Sequence, residues 1–110
     1  LNNCYYSTAY TTVNASDTLT AFVDTYTEEY GEAPNMFSAL AYDATNLGLQ
    51  ALEKSGKTGA DLQKVIADTK FEGLTGSFTF DKTHSPKKSV LVVNLVDGVQ
   101  TEAVSVDPNK

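Results

Sequence analysis

Residues 89–96 read SVLVVNLV, a strand apolar on both faces, which is expected where both sides of a sheet are covered. Asp97 and Gly98 follow as a type I′ turn into a second strand, VQTEAVSV, before the polar end DPNK. Upstream, FEGLTGSFTF from Phe71 has period two. Phe78 and Phe80 fall on one face, Ser77 and Thr79 on the other, and Gly73 and Gly76 supply bends, which reads as a short hairpin or a strand with a turn. The intervening DKTHSPKK is a polar turn.

Three amphipathic helices come before these strands. Leu19, Phe22, Val23, Tyr26 and Tyr30 recur three and four residues apart, with Ser16 or Asp17 as N-cap and Gly31 placed to end the helix. After the break at Glu32, Ala33 and Pro34, a second stripe of Phe37, Leu40, Ala41, Ala44, Leu47, Ala51 and Leu52 runs to Gly56. Gly48 inside it suggests close packing against a neighbouring backbone. Thr58 with Asp61 resembles a capping box ahead of a shorter helix bearing Leu62, Val65 and Ile66. The opening LNNCYYSTAY reads as a strand, and TTVNASDT as a loop.

This inventory contains too little sheet. Three helices each need an apolar surface to cover, yet one strand alone reads as buried on both faces. A parallel sheet with helices on both faces alternates strand and helix, whereas here three helices follow one strand directly. The expectation is that partner strands lie elsewhere in a longer chain; the alternative is a complete small α+β domain with a three-stranded sheet.

Composition narrows the function. The 110 residues carry 8 basic and 14 acidic side chains, a net charge of −6, so there is no positive field for nucleic acid or an anionic membrane surface. One Cys and one His exclude an internal disulfide and a structural zinc site, and no cofactor or metal is expected. The longest apolar run, Val90 to Val93, is far short of the roughly 20 residues that span a bilayer. Leu1 follows no basic and apolar leader, so residue 1 is not expected to be the start of translation.

No convincing catalytic set emerges. Asp81, His84 and Ser85 have the residue types of a triad, but triads are assembled from distant parts of a fold, and these three share one Lys-rich turn ahead of Pro86. Glu28, Glu29 and Glu32 read as a solvated helix face. Asp43 stands apart: a charge in the middle of a largely apolar helix needs a partner or water. Cys4 has no neighbouring base and reads as a buried or idle thiol, and Asn14-Ala15-Ser16 as loop and helix cap. Tyrosine combines an apolar ring with a hydroxyl, which suits a binding cleft, and Tyr42 leaves the seam of its helix.

The order YYSTAY, FVDTYTEEYGEAP, FSALAYDATNLGLQALEKSG, DLQKVIADT, FEGLTGSFTFD and KKSVLVVNLVDG resembles the C-terminal portion of the solute-binding proteins of branched-chain amino-acid ABC transporters, from about Cys4 to Val99. The specificity lies in YG-x-x-P, AYDA and FEGLTG…FD occurring together in this order. The resemblance implies an α/β class and a partial type I periplasmic-binding fold: three helices, crossover strands and a hairpin from a two-lobed parent. Residues 1–88 would be the C-terminal part of lobe 1, beginning at a crossover strand. Residues 89–110 would be the last crossover and strands of lobe 2.

The same resemblance implies an amino-acid ligand between the lobes, a membrane permease as partner, and a periplasmic or extracellular location, with a lipid anchor in the full-length parent as one option. Tyr42 of AYDA carries over as the cleft aromatic, with Tyr10 and Phe37 as neighbours of the cleft or hinge. The contacts to the ligand's carboxylate and ammonium would lie upstream of this sequence. A fragment with open strand edges is expected to self-associate. Two alternatives are a ligand-sensing receptor domain and a small enzyme using Tyr42 and Asp43; the polar end SVDPNK, read as a natural terminus, favours transport over a receptor.

Overall fold

Ser16 starts the first helix by accepting a hydrogen bond from the Leu19 amide (3.2 Å), and Gly31, at φ 76, ends it in the left-handed conformation. This helix, α1, spans Asp17–Tyr30. The next, α2, spans Met36–Ser55; the Asn35 side chain caps it through the Ser38 amide (3.0 Å), and Gly56 closes it at φ 61. The third, α3, spans Ala60–Asp68, with Gly59 at the N-cap position and no side-chain cap. The expected Thr58–Asp61 capping box is therefore not formed. Asp61 instead pairs with Lys57 one helical turn away (3.5 Å). The computed structural model describes residues 2–108; the readings of Leu1 and of the polar end at Asn109 and Lys110 fall outside them.

Among the described residues, six strands form two antiparallel sheets. In the first, β1 (Cys4–Thr8), β5 (Val90–Val96) and β6 (Val99–Val106) lie in the order β1-β5-β6. Asp97 and Gly98, at φ 51 and 77, make the turn between β5 and β6, the positive pair a type I′ hairpin requires. In the second, β2 (Phe71–Gly73), β3 (Gly76–Phe80) and β4 (Pro86–Lys87) lie in sequence order. Phe71 is opposite Phe78, with ring centroids 5.4 Å apart, and Phe71 is among the most deeply buried side chains. The short β4 lies inside the stretch expected to be turn alone.

Two expectations about packing are corrected. The β5 strand is buried at its centre, where Val93 and Asn94 occupy opposite faces, and is open at its ends, where Val90 and Val96 are exposed. On the Val93 face, Leu91 borders the cavity lined by the β1–α1 loop, and the Thr11 hydroxyl donates to Gln100 Oε1 (2.7 Å) and Gln100 to the Tyr6 hydroxyl. On the other face, shared by Val90 and Val92 with their strand neighbours, Tyr5, Val104 and Val106 are exposed. The second correction concerns α2, which buries the line Ala39, Asp43, Leu47 and Ala51, four residues apart. Phe37, Ala41, Ala44 and Leu52, placed by the sequence on the core stripe, are exposed, and a methyl group on Gly48 would meet nothing within 4 Å.

Surface follows from this incomplete cover. The radius of gyration is 15.9 Å, against about 13 Å for a compact chain of this length. The accessible area is 7557 Å², against roughly 5,900 Å² for a monomeric protein of this mass.

Candidate functional site

The two sheets are joined by two stretches of chain, residues 9–16 from β1 into α1 and residues 88–89 from β4 into β5. Between the sheets lies a cavity of about 580 Å³, bordered by Tyr10, Thr11 and Asn14 from the first crossing, Thr75 from the hairpin turn, and Lys88 and Ser89 from the second. Its lining combines hydroxyls, one ammonium and the Tyr10 ring. Burial pushes the Tyr10 phenol above its ordinary pKa, because the charged phenolate is the form that loses hydration.

The three residues carried over from the sequence are not brought into one pocket. Tyr10 lines the intersheet cavity. Tyr42, 48% exposed, packs its ring on Phe22 of α1 (centroids 4.8 Å) and borders a groove of about 500 Å³ with Phe22, Tyr26 and Tyr30. Phe37, 72% exposed at the first turn of α2, lines neither space.

Next to Tyr42, Asp43 is only 4% exposed, and its carboxylate is filled. Oδ1 accepts from the Leu74 amide (2.8 Å), and Oδ2 accepts from the Thr75 amide (2.9 Å) and the Thr75 hydroxyl (2.6 Å). The sequence indicated that this charge required a partner; the partner is the turn of FEGLTG, 31 and 32 residues away. Hydrogen bonds to an ionised carboxylate are each worth about 1.5–3 kcal/mol net. Gly73 makes the approach possible, since a methyl built on it would fall 2.6 Å from Asp43 Cγ and Oδ1 and 2.5 Å from Phe71 Cε1. Asp43 is thus a structural acceptor, with both oxygens committed to the turn rather than to a substrate.

Thr75 extends the arrangement. Its hydroxyl donates to Asp43 and accepts from Lys88 Nζ, while the Lys88 ammonium lies 5.2 Å from the centroid of Phe78. Partial burial holds the Lys88 ammonium below its ordinary pKa, opposed by the Asp43 charge. Sequence reasoning missed both Thr75 and Lys88. The available signal was Asp43 within α2 together with a turn bracketed by Gly73 and Gly76.

The other charged constellation is a closed turn. Asp81 Oδ1 accepts from the Thr83 hydroxyl (2.7 Å), the Thr83 amide (2.8 Å) and the Ser85 amide (3.0 Å), and these bonds, the Thr83 hydroxyl first, hold its carboxyl below the usual range. His84 stands in the left-handed region at φ 64 and is exposed. Among the described residues, no group of three or more His, Cys, Asp or Glu is placed to hold a metal ion, and no helix is long and apolar enough to cross a membrane.

Comparison with known proteins agrees with this architecture. A family model described as periplasmic binding protein matches residues 1–100. The branched-chain amino acid transporter substrate-binding protein LivJ of Streptococcus pneumoniae, solved with isoleucine, is 33% identical; the match covers 94% of this chain and 30% of that one, with a TM-score of 0.80. The leucine-binding protein LivK of Thermotoga maritima is 29% identical over 98% of this chain and 32% of that one, with a TM-score of 0.81. An ABC transporter substrate-binding protein of Desulfitobacterium hafniense in complex with Leu shares the fold at 24% identity and a TM-score of 0.79, over 94% of this chain and 31% of that one. The chain therefore spans about a third of the length of the solved structures it matches. A search of curated proteins finds no match.

The geometry around Asp43 separates two glycine substitutions. Gly73→Ala and Asp43→Asn are each expected to lower unfolding stability by about 1–3 kcal/mol. Gly48→Ala, in a helix interior with free space around it, should raise it by up to about 1 kcal/mol. Urea unfolding followed by circular dichroism reads all three, and equal effects of the two alanines would contradict this geometry.

Proposed function

This chain belongs to the periplasmic binding protein family, and from that premise we propose that it forms one wall of an interlobe cleft for a branched-chain or related amino acid, in the solute-binding component of an ABC importer. The observation that carries the reading is the match of 94% of the chain, at 33% identity, to a transporter protein solved with isoleucine. The intersheet cavity adds support through its mixed lining, because an amino acid offers charged ends and an apolar side chain together.

Only part of such a site belongs to this chain. Burying a Leu-sized side chain contributes about 1.5–3 kcal/mol, whereas a micromolar complex requires about 8 kcal/mol. The remainder falls to polar groups holding the carboxylate and ammonium, which the reading assigns to sequence upstream. Tyr10 is the favoured ligand neighbour within this chain because it faces the intersheet cavity. Tyr42 and Phe37 stay in the proposal as cleft residues of the assembled protein, as the family pattern AYDA suggests.

The division at residue 88 is part of the same reading, supported by the separation of the two sheets between Lys87 and Val90. Ligand held by both lobes would shift an open to closed equilibrium, and the closed form would be what a membrane permease recognises. Members of this family are extracytoplasmic solute-binding proteins rather than enzymes; for this chain we infer a periplasmic or extracellular place, with a lipid anchor in a full-length parent as an option. The accessible area in excess of a typical monomer, with exposed Val104, Val106, Leu49 and Phe37, favours self-association of the 110-residue chain.

Titration calorimetry with leucine, isoleucine and valine tests the ligand reading. Heat of binding is expected once upstream sequence is restored, and none for the 110 residues alone; a full-strength signal from the short chain, or none from the long one, would contradict it. Light scattering of the short chain should give a dimer or larger species, and a stable monomer would remove the self-association proposal.

A further inference from the structure

Lys88 occupies an unusual place: it is the residue after β4 and two before β5, on one of the two stretches joining the sheets. Its side chain does not extend into solvent. It turns back over the hairpin, with Cε 3.9 Å from where a Cβ on Gly76 would stand, its ammonium near the Phe78 ring, and Nζ donating to the Thr75 hydroxyl. That hydroxyl donates its own hydrogen bond to Asp43 Oδ2 (2.6 Å), and the Asp43 carboxylate is rooted in the buried face of α2. A hydroxyl is the side-chain group able to donate to a carboxylate and accept from an ammonium at the same time with a single heavy atom.

We infer that the Asp43–Thr75–Lys88 relay is a latch that fixes the direction in which the chain leaves the hairpin for the β1-β5-β6 sheet, and so sets the angle between the two sheets on either side of the intersheet cavity. The first crossing carries a weaker tie at its start, the Thr8 hydroxyl, which lies 3.4 Å from Met36 Sδ and is shared with the Tyr10 carbonyl (3.0 Å). A sulfur acceptor is a poor one, so the ammonium relay is the dominant polar contact among those described between helical layer and crossing. Residues in a loop that absorb small dihedral changes are the usual sites of hinge motion, and Lys88 is tied at such a site by a contact that one substitution removes.

The latch is a property of this chain and does not require an amino-acid ligand. Pulsed electron-electron resonance measures it directly on the 110-residue chain in a Cys4→Ser background, with spin labels on Glu53→Cys of α2 and Glu102→Cys of β6, both exposed positions, diluted in a large excess of unlabelled chain so that only distances within one chain are read. The unaltered relay is expected to give one narrow distance distribution. Lys88→Met keeps the apolar stem against Phe78 and removes the ammonium; it should at least double the width. Thr75→Val should match it, Thr75→Ser should preserve the narrow distribution, and the Lys88→Met, Thr75→Val double variant should be no broader than either single one. If Lys88→Met fails to fold by circular dichroism, the Thr75→Val and Thr75→Ser pair decides by the same width. A distribution unchanged in the folded variants overturns the latch. A chain that broadens as expected but, with upstream sequence restored, takes up no leucine, isoleucine or valine would fail the ligand reading and keep the latch.

Discussion

A single buried carboxylate sets much of this structure. Asp43 cannot remain charged on the inner face of α2 without donors, and it obtains them from the Leu74 and Thr75 amides and the Thr75 hydroxyl. That requirement seats the β2–β3 turn on the helix. Once seated, the turn brings Phe71 into the core against Phe78, demands that position 73 carry no side chain, and places the Thr75 hydroxyl where Lys88 reaches it. One charged group thereby connects a helix, a hairpin and the start of a crossing strand.

The remainder of the molecule is open by comparison. The β1-β5-β6 sheet buries Val93 and Asn94 at its centre but leaves Tyr5, Val90, Val104 and Val106 exposed, and α2 presents Phe37, Ala41, Ala44 and Leu52 outward. A match that takes in nearly all of this chain but about a third of its relatives fits such a balance: a well-fastened helical and hairpin unit bordering a cavity, with apolar faces of the sort that pack on further secondary structure. The proposed function draws on the same division, since a cavity between two sheets linked by short crossings can change shape through small dihedral changes at those crossings.

Local chemistry was legible in the sequence and tertiary choice was not. Ser16, Gly31 and Gly56 mark helix ends because capping involves neighbours three or four residues away, and Asp97-Gly98 marks its hairpin for the same reason. The buried side of α2 was misread because the helix offers apolar residues around most of its circumference, so periodicity cannot choose among faces; the choice was made by Asp43, which had to meet the turn. Thr58 failed as a cap because Gly59 occupies the N-cap position of α3 instead. Asp43 was recognisable as a charge in need of a partner, but the partner lay more than thirty residues away. Tyr10, Tyr42 and Phe37 were readable as aromatic candidates, whereas their distribution over the intersheet cavity, the α1–α2 groove and open surface depended on how the elements assembled.

The central claim is that the Asp43 carboxylate, rather than general collapse, holds the β2–β3 turn. Residue-resolved amide hydrogen exchange by NMR tests it most directly, because the two donors lie in a turn where regular strand pairing does not protect them. The account predicts that the Leu74 and Thr75 amides exchange as slowly as those in the middle of α2, and that Asp43→Ala raises both rates to those of the exposed Lys82 amide while α2 itself stays protected. Leu74 and Thr75 amides that exchange as fast as Lys82 in the unaltered chain, or that stay slow after Asp43→Ala, would contradict it.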